Sequence, residues 1–309
     1  MARTSRVKKS VDARYHVISR IAGKRFLLSS PSVKREMVEI LARVAEFSGV
    51  YVFAYCVMDN HFHIVCKVLK EPLVAESEVI RRIAVLKGNE AASSIAEHLA
   101  ELRSQGRDDL AELELDRWRR RMNDLSEFVK TFKETFDRAY RRRNPYNGSF
   151  WDGRFRSTCV ESGDYLHRVT RYVNYNPVRA GIVSQSVRYA WCTDGSADAF
   201  AAKCRRALAA ELGGQTPEAR AAQLPADGGQ TSVDGLMNGG LSPELRGQLP
   251  EAVWLMRRMP QFGSGKLFGS LRFVLSGIDE AGWGGRRRPH GVPGGGFSSH
   301  GHRLADQAA

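Results

Sequence analysis

The sequence predicts an α+β domain built on an antiparallel sheet, and three observations carry that prediction. Residues 51–68, YVFAYCVMDNHFHIVCKV, read as two strands joined by a tight turn at Met58-Asp59-Asn60. An amphipathic helical pattern precedes the pair, and a further strand precedes that helix. A long helix with an aromatic stripe, a fourth strand and a tyrosine-bearing helix follow, so the predicted order is β-α-β-β-α-β-α.

Each element has a local reason. Residues 1–12 form a basic lead-in, and Tyr15–Ile21 alternate as a strand. Ser30-Pro31 opens a helix, with a hydroxyl at the N-cap and proline at the first helical position. Val33, Met37, Ile40, Leu41, Val44 and Phe47 then share one face until Gly49 ends it. Residues 71–122 are rich in Ala, Glu, Arg and Leu with no strand signal, and read as an inserted set of three helices over 76–86, 90–104 and 108–122. The apolar period sharpens again in Leu125, Phe128, Val129, Phe132, Phe136 and Tyr140. Residues 154–160 supply a fourth strand, and Asp164 starts a helix that stops before Pro177. Beyond the main domain at 13–183, the chain reads as a helix and linker (184–243), a small appended element (244–280) and a low-complexity, disordered tail (281–309).

The 47 Lys and Arg residues against 34 Asp and Glu give a net charge of +13, which favours a polyanionic partner. The excess is concentrated. Between Arg117 and Arg156, 12 basic residues face 5 acidic ones, interleaved with Tyr140, Tyr146, Phe150, Trp151 and Phe155. Cations beside aromatic faces suit a phosphate backbone with unpaired bases. Five cysteines without a C-x-x-C pair point to a reducing compartment. The N-terminus lacks the apolar core of a signal peptide, and no apolar run is long enough to span a bilayer, so a cytoplasmic protein is expected.

Period-two alternation turns Phe62, Ile64, Cys66 and Val68 to one side and His61, His63 and Val65 to the other. Two imidazoles two residues apart on a strand face can aim at one small volume, as a shared metal ion requires. The same pattern also arises from two half-buried polar residues. Tyr172 and Asn176, four apart on the last predicted helix, project together.

Four blocks, in order, give the chain a resemblance to a known family: YHVISR (15–20), VMDNHFHIV (57–65), GSFWDGRF (148–155) and YVNYNPVRAG (172–181). Together they resemble the REP-associated tyrosine transposases, a branch of the HUH single-tyrosine transposases. The resemblance implies a ferredoxin-like (RRM-like) antiparallel sheet with helices on one face, here with a helical insertion and a poorly ordered C-terminal extension. It places the family's histidine motif on His61-Phe62-His63, its nucleophile on Tyr172 and a polar metal ligand on Asn176. The insertion at 71–122 is longer than the family leads one to expect, and the C-terminal third matches it faintly.

The implied reaction is cleavage and rejoining of single-stranded DNA at hairpin-flanked sites, with Mg²⁺ or Mn²⁺ as cofactor and a covalent 5′-phosphotyrosine intermediate. The DNA contacts expected are Arg141, Arg142, Arg143, Arg154 and Arg156 for phosphates, and Trp151 and Phe155, which either stack a base or pack. Tyr175 is the competing nucleophile, three residues further round the helix. The partner expected is single-stranded DNA carrying repetitive palindromic hairpins, met by a monomer or a homodimer. Two other classes fit the residues: a non-catalytic nucleic-acid binder, and a metal-dependent phosphodiesterase without a covalent step.

Overall fold

The computed structural model describes residues 12–70 and 73–213, together with Leu267–Gly269, Phe273, His290–Gly291 and Phe297–Ser298. Four strands form the sheet: β1 (Ala13–Arg20), β2 (Val50–Val57), β3 (His61–Val68) and β4 (Arg156–Val160). Their order is β2-β3-β1-β4, every pair antiparallel. With α1 (Pro31–Ser48) between the first two strands and α5 (Leu125–Arg143) before the fourth, this is the ferredoxin-like arrangement. Beyond β4 the sheet gains β5 (Leu267–Gly269), parallel to it, and the short β6 (His290–Gly291) and β7 (Phe297–Ser298). The last two fall within the stretch expected to lack structure; most of 214–309 lies outside the described residues.

The alternation in β3 decides what lies on each side. Phe62, Ile64 and Cys66 join Tyr15 and Val17 under α1 and α5, in a core with Phe128, Phe132 and Phe136. Val65 faces the other way, into a second cluster with Ala54, Cys56, Val160 and the helix α6 (Asp164–Asn174). Helices therefore cover both faces of the sheet, not one as expected. Strand β2 is apolar on both sides, with Val52, Tyr55 and Val57 in the first cluster and Phe53, Ala54 and Cys56 in the second, and an apolar face left in water forfeits about 25 cal/mol per Å² of burial.

Helix α1 ends as read, on Gly49 in the left-handed conformation at φ 64°. Its start corrects one detail: Ser30 has the extended backbone of an N-cap, but its hydroxyl pairs with that of Ser32 and caps no backbone N–H. The insertion folds as α2 (Glu76–Lys87), α3 (Asn89–Ser104) and α4 (Asp108–Arg119) around its own core, to which α1 contributes Phe47. Trp118 meets Phe47 edge-on, their rings 6.3 Å apart. After α6 comes a single turn, α7 (Asn176–Arg179). The segment 189–193 then lies along β2, where Val57 N donates to Trp191 O and Tyr55 N to the Thr193 hydroxyl. Together with α8 (Ala199–Glu211) it covers what would otherwise be an open sheet edge. All five cysteines are buried and unbridged. No described helix is long and apolar enough to cross a membrane.

Candidate active site

Strand pairing builds the site before any helix reaches it. Residues opposite one another in an antiparallel ladder point to the same face. In β1, Ile18 lies opposite His63 and Arg20 opposite His61, and on its other side Ile18 pairs with Arg156. One face of the sheet thus carries His16, Arg20, His61, His63 and Arg156.

The turn after β2 orients the first imidazole. Ile21 N donates to Asn60 O and Leu28 N to Asp59 O, and Lys34 of α1 forms an ion pair with Asp59. Held in this way, Asn60 turns its Oδ1 to His61 Nδ1 at 2.6 Å while its amide nitrogen donates to Lys24 O. Because Asn60 Oδ1 can only accept, His61 carries its proton on Nδ1 and leaves Nε2 as a lone-pair donor.

His63 is 4% exposed, and its Nδ1 lies 2.9 Å from Nε2 of His16, which is fully buried. Those two rings stack at 5.2 Å with 11° between planes. The His61 and His63 rings stand 5.0 Å apart at 73°. Burial holds both imidazoles neutral. It pushes the pKa of His61 down to about 4, with Arg20 and Arg179 adding to the effect, and that of His63 well below the ordinary value, with His61 and His16 adding. Neutral imidazole is the form that ligates a metal.

Helix α6 brings the phenol. Leu166, Val169, Tyr172 and Val173 form its buried stripe against β2 and β3. The Tyr172 ring is 5% exposed and meets His16 edge-on at 6.0 Å and His63 at 6.2 Å. Arg179, returned by α7, sets its guanidinium carbon 4.6 Å from the centre of the Tyr172 ring. Tyr175 caps the helix, half-buried, with Arg171 6.0 Å from its ring.

The structure therefore brings His61, His63 and Tyr172 to one face of the sheet, while Asn176 opens the turn that follows the tyrosine helix. Asn176 arrives in a different posture from the one its spacing suggested, because α6 stops at Asn174. Its amide nitrogen donates to the carbonyls of Tyr172 and Val173, and its Oδ1 lies 3.4 Å from Arg179 Nη1. Among the described residues no three His, Cys, Asp or Glu side chains converge as a metal site. As a donor set, two oriented neutral imidazoles fit a divalent cation that takes its remaining ligands as oxygens from Asn176, water or a bound phosphate.

The expected DNA contacts scatter. Arg156 and Arg154 are exposed, and Arg156 shares the histidine face. Arg141 is occupied: it binds Asp137 Oδ1 and the carbonyls of Tyr146 and Gly148, which fixes the loop before Phe150. Arg143 pairs with Glu36 across the helices, and Arg142 is exposed. Trp151 and Phe155 are 8% and 9% exposed within the α1/α5 core. Trp151 packs edge-on against Phe62 at 5.6 Å and donates its indole N–H to Lys133 O. Of the two roles open to these rings, stacking a base or packing, their burial favours packing. Missing from the sequence reading were His16, Arg20 and Arg179. All three stand in the motif blocks, but only the β1–β3 register and the α7 turn reveal what they face.

Fold and site together define a ferredoxin-like protein in which a histidine pair and a buried tyrosine meet on one face of the sheet. Residues 9–108 match the family model of the IS200-like transposases, a span that includes His16, His61 and His63 and stops before Tyr172. The match bears out the resemblance carried by the motif blocks. No curated protein matches the chain. Among solved structures the chain is similar to a REP-associated tyrosine transposase bound to a REP hairpin, at 15% identity and a TM-score of 0.39, covering 62% of this chain and 82% of that one.

Proposed function

We propose that this protein is a metal-dependent DNA transposase or endonuclease that cuts and rejoins single-stranded DNA through a phosphotyrosine at Tyr172. The observation that carries the reading is the convergence of the Tyr172 and His63 rings, 6.2 Å apart on one face of the sheet, with Arg179 lying over the phenol. The alternatives, a nucleic-acid binder and a non-covalent phosphodiesterase, give that tyrosine no reason to lie against the histidines.

In this reading Tyr172 Oη attacks a backbone phosphorus and the bond from phosphorus to the 3′ oxygen breaks. The products are a 5′-phosphotyrosine and a free 3′-OH, the phenolic proton balancing the departing alkoxide. An incoming 3′-OH reverses the exchange, so strand joining consumes no nucleotide triphosphate. His61 and His63, with Asn176 or water, would hold Mg²⁺ or Mn²⁺, which when bound would neutralise charge on a non-bridging oxygen. Arg20, Arg156 and Arg179 flank that position and would hold the phosphate in place, and Arg154 remains a contact for the strand further away. Burial of His63 and of the Tyr172 ring limits the access of water, which would favour rejoining over hydrolysis.

The test is a labelled single-stranded hairpin incubated with the protein and Mn²⁺, resolved under denaturing conditions. A transposase gives a DNA adduct that survives SDS and disappears in Tyr172→Phe while persisting in Tyr175→Phe. Cleavage products without an adduct would leave the phosphodiesterase, and binding alone would leave the binder.

A further inference from the structure

Cys56, on the outer strand β2, and Cys192, in the 189–193 segment laid along it, face one another as an antiparallel bridge. The hydrogen bonds on either side fix the kind of pair. Val57 N donates to Trp191 O at 2.9 Å and Thr193 N to Tyr55 O at 3.1 Å, so the two cysteines sit at a non-hydrogen-bonded position. There the Cα atoms approach to about 4.5 Å and the side chains leave on the same side. That spacing lies inside the range of about 4.4–6.8 Å that a disulfide spans. Both side chains enter the second cluster, with Val65 and Tyr172, and both are fully buried. The other three cysteines are placed differently. Cys66 and Cys159 lie opposite Tyr15 from either side of β1, two strand spacings or roughly 9–10 Å apart, beyond the reach of a disulfide. Cys204 packs with them in the first cluster.

We propose that Cys56 and Cys192 form a reversible disulfide, a latch that a small-molecule disulfide closes when the 189–193 segment lifts from β2. The inference does not depend on the strand-transfer reading. With the segment in place each thiol is occupied: Cys56 Sγ donates to Met58 Sδ at 3.6 Å, and Cys192 Sγ to Ser186 O and Tyr189 O at 3.4 and 3.3 Å. Burial raises the Cys192 thiol to about 11 and that of Cys56 well above its ordinary value, so thiolate is scarce until the segment opens. Besides the two backbone bonds, Tyr55 N bonded to the Thr193 hydroxyl and the Tyr189 hydroxyl bonded to Val57 O hold it down. Once it lifts, the Cys192 thiolate attacks one sulfur of the oxidant and expels a thiolate. Cys56 then attacks the Cys192 sulfur of the mixed disulfide and expels the second. Two cysteine thiols become one disulfide, the oxidant becomes two thiols, and the two protons pass to the departing thiolates. The effect reaches the tyrosine helix, because Asp194, next after the segment, accepts from Asn174 Nδ2 at 2.6 Å. A latched segment therefore holds the end of α6. Cross-links of this kind, reduced at rest and formed on demand, are the redox-sensing ones.

The experiment equilibrates the full chain, without denaturant, against graded ratios of oxidised to reduced glutathione. Free thiols are then trapped with a maleimide in acid denaturant and the peptides mapped by mass. We expect one cross-linked peptide joining Cys56 to Cys192, lighter by two hydrogens than its parts, with Cys66, Cys159 and Cys204 alkylated. Excess reduced glutathione should return both thiols. Tyr189→Phe, which removes one bond that holds the segment down, should speed oxidation roughly two- to tenfold and give the same product. The linked protein should melt at least about 5 °C above the reduced one, and amides near Asn174 should exchange more slowly. Cys192→Ser and Cys56→Ala, treated alike, should show neither change. The mapping needs the wild-type chain alone, so it decides the matter even where a cysteine variant fails to fold. Free Cys56 and Cys192 at the most oxidising ratio, glutathione retained on either of them, or a link to another cysteine would each overturn the proposal. So would a rate indifferent to Tyr189→Phe, or a linked protein that melts no higher.

Discussion

His16 and His63, on neighbouring strands, set Nε2 and Nδ1 2.9 Å apart in a buried hydrogen bond with their rings nearly parallel. With the shared proton on His63 Nδ1, the Nε2 of His63 keeps a lone pair, as Asn60 leaves one on His61, and in the proposed reaction these two nitrogens would hold the metal.

The first prediction follows from that bond. His16→Ala should weaken Mn²⁺ binding by about 10- to 100-fold, the usual effect of removing a partner that orients a ligand. Calorimetric titration of the metal-free protein measures this without reference to catalysis. His16→Gln retains a hydrogen-bonding group and should recover part of the loss. An unchanged Mn²⁺ affinity in His16→Ala would show that the contact is packing only.

The second concerns Arg179. Its guanidinium lies over the Tyr172 ring and beside Asn176 Oδ1, where, in the proposed reaction, it would meet both the phosphate and the phenolate. Arg179→Gln should slow adduct formation by roughly 10²- to 10³-fold, the scale of losing one preorganised donor to developing charge. Single-turnover rates at saturating DNA read the effect, and hairpin affinity should move far less. A matching drop in affinity, with the saturated rate intact, would make Arg179 a binding residue only.

Much of this site was legible because strands and helices announce their faces. Alternation in residues 61–68 separated the histidines from the core-facing Phe62 and Ile64, and the helical period placed Tyr172 on a buried stripe. What was not legible depends on partners distant in sequence. His16 becomes a neighbour of His63 only once Ile18 is paired with residue 63. The end of α6 at Asn174, which turns the Asn176 amide back onto the helix carbonyls, is a backbone decision that i,i+4 spacing does not express. Trp151 and Phe155 stand among cations in sequence, yet the strand at 156–160 and the Lys133 carbonyl draw them inward.

That inward turn makes the third prediction. If Trp151 packs, Trp151→Ala should cost about 3–5 kcal/mol of stability, as large aromatic deletions in closed cores do. Chemical denaturation reports it. Below the melting transition, the DNA affinity of the surviving folded protein should stay within about twofold of wild type, because stacking on a base would contribute ~1–3 kcal/mol per base. Lost affinity with unchanged stability would return Trp151 to the DNA surface.

The fourth prediction tests how the insertion is pinned. Glu78 binds the guanidinium groups of Arg81 and Arg82, and these contacts, Arg81 first, pull its pKa down to about 2 against partial desolvation. Arg82 is buried and lies against Gly49 at the end of α1, so Glu78 helps hold α2 to the sheet domain. A carboxyl with a depressed folded pKa binds fewer protons folded than unfolded. Its stabilisation is complete above the ordinary value of 4.5 and disappears as pH falls toward 2. Because the carboxylate is partly solvated, the contribution should stay below about 1 kcal/mol. Glu78→Gln should therefore be slightly less stable than wild type at pH 7, with the difference shrinking steadily from pH 4.5 downward. Hydrogen exchange of α2 amides, followed with pH in both proteins, locates the change; a difference that persists unaltered at pH 2 would mean the carboxylate charge does not hold α2 in place.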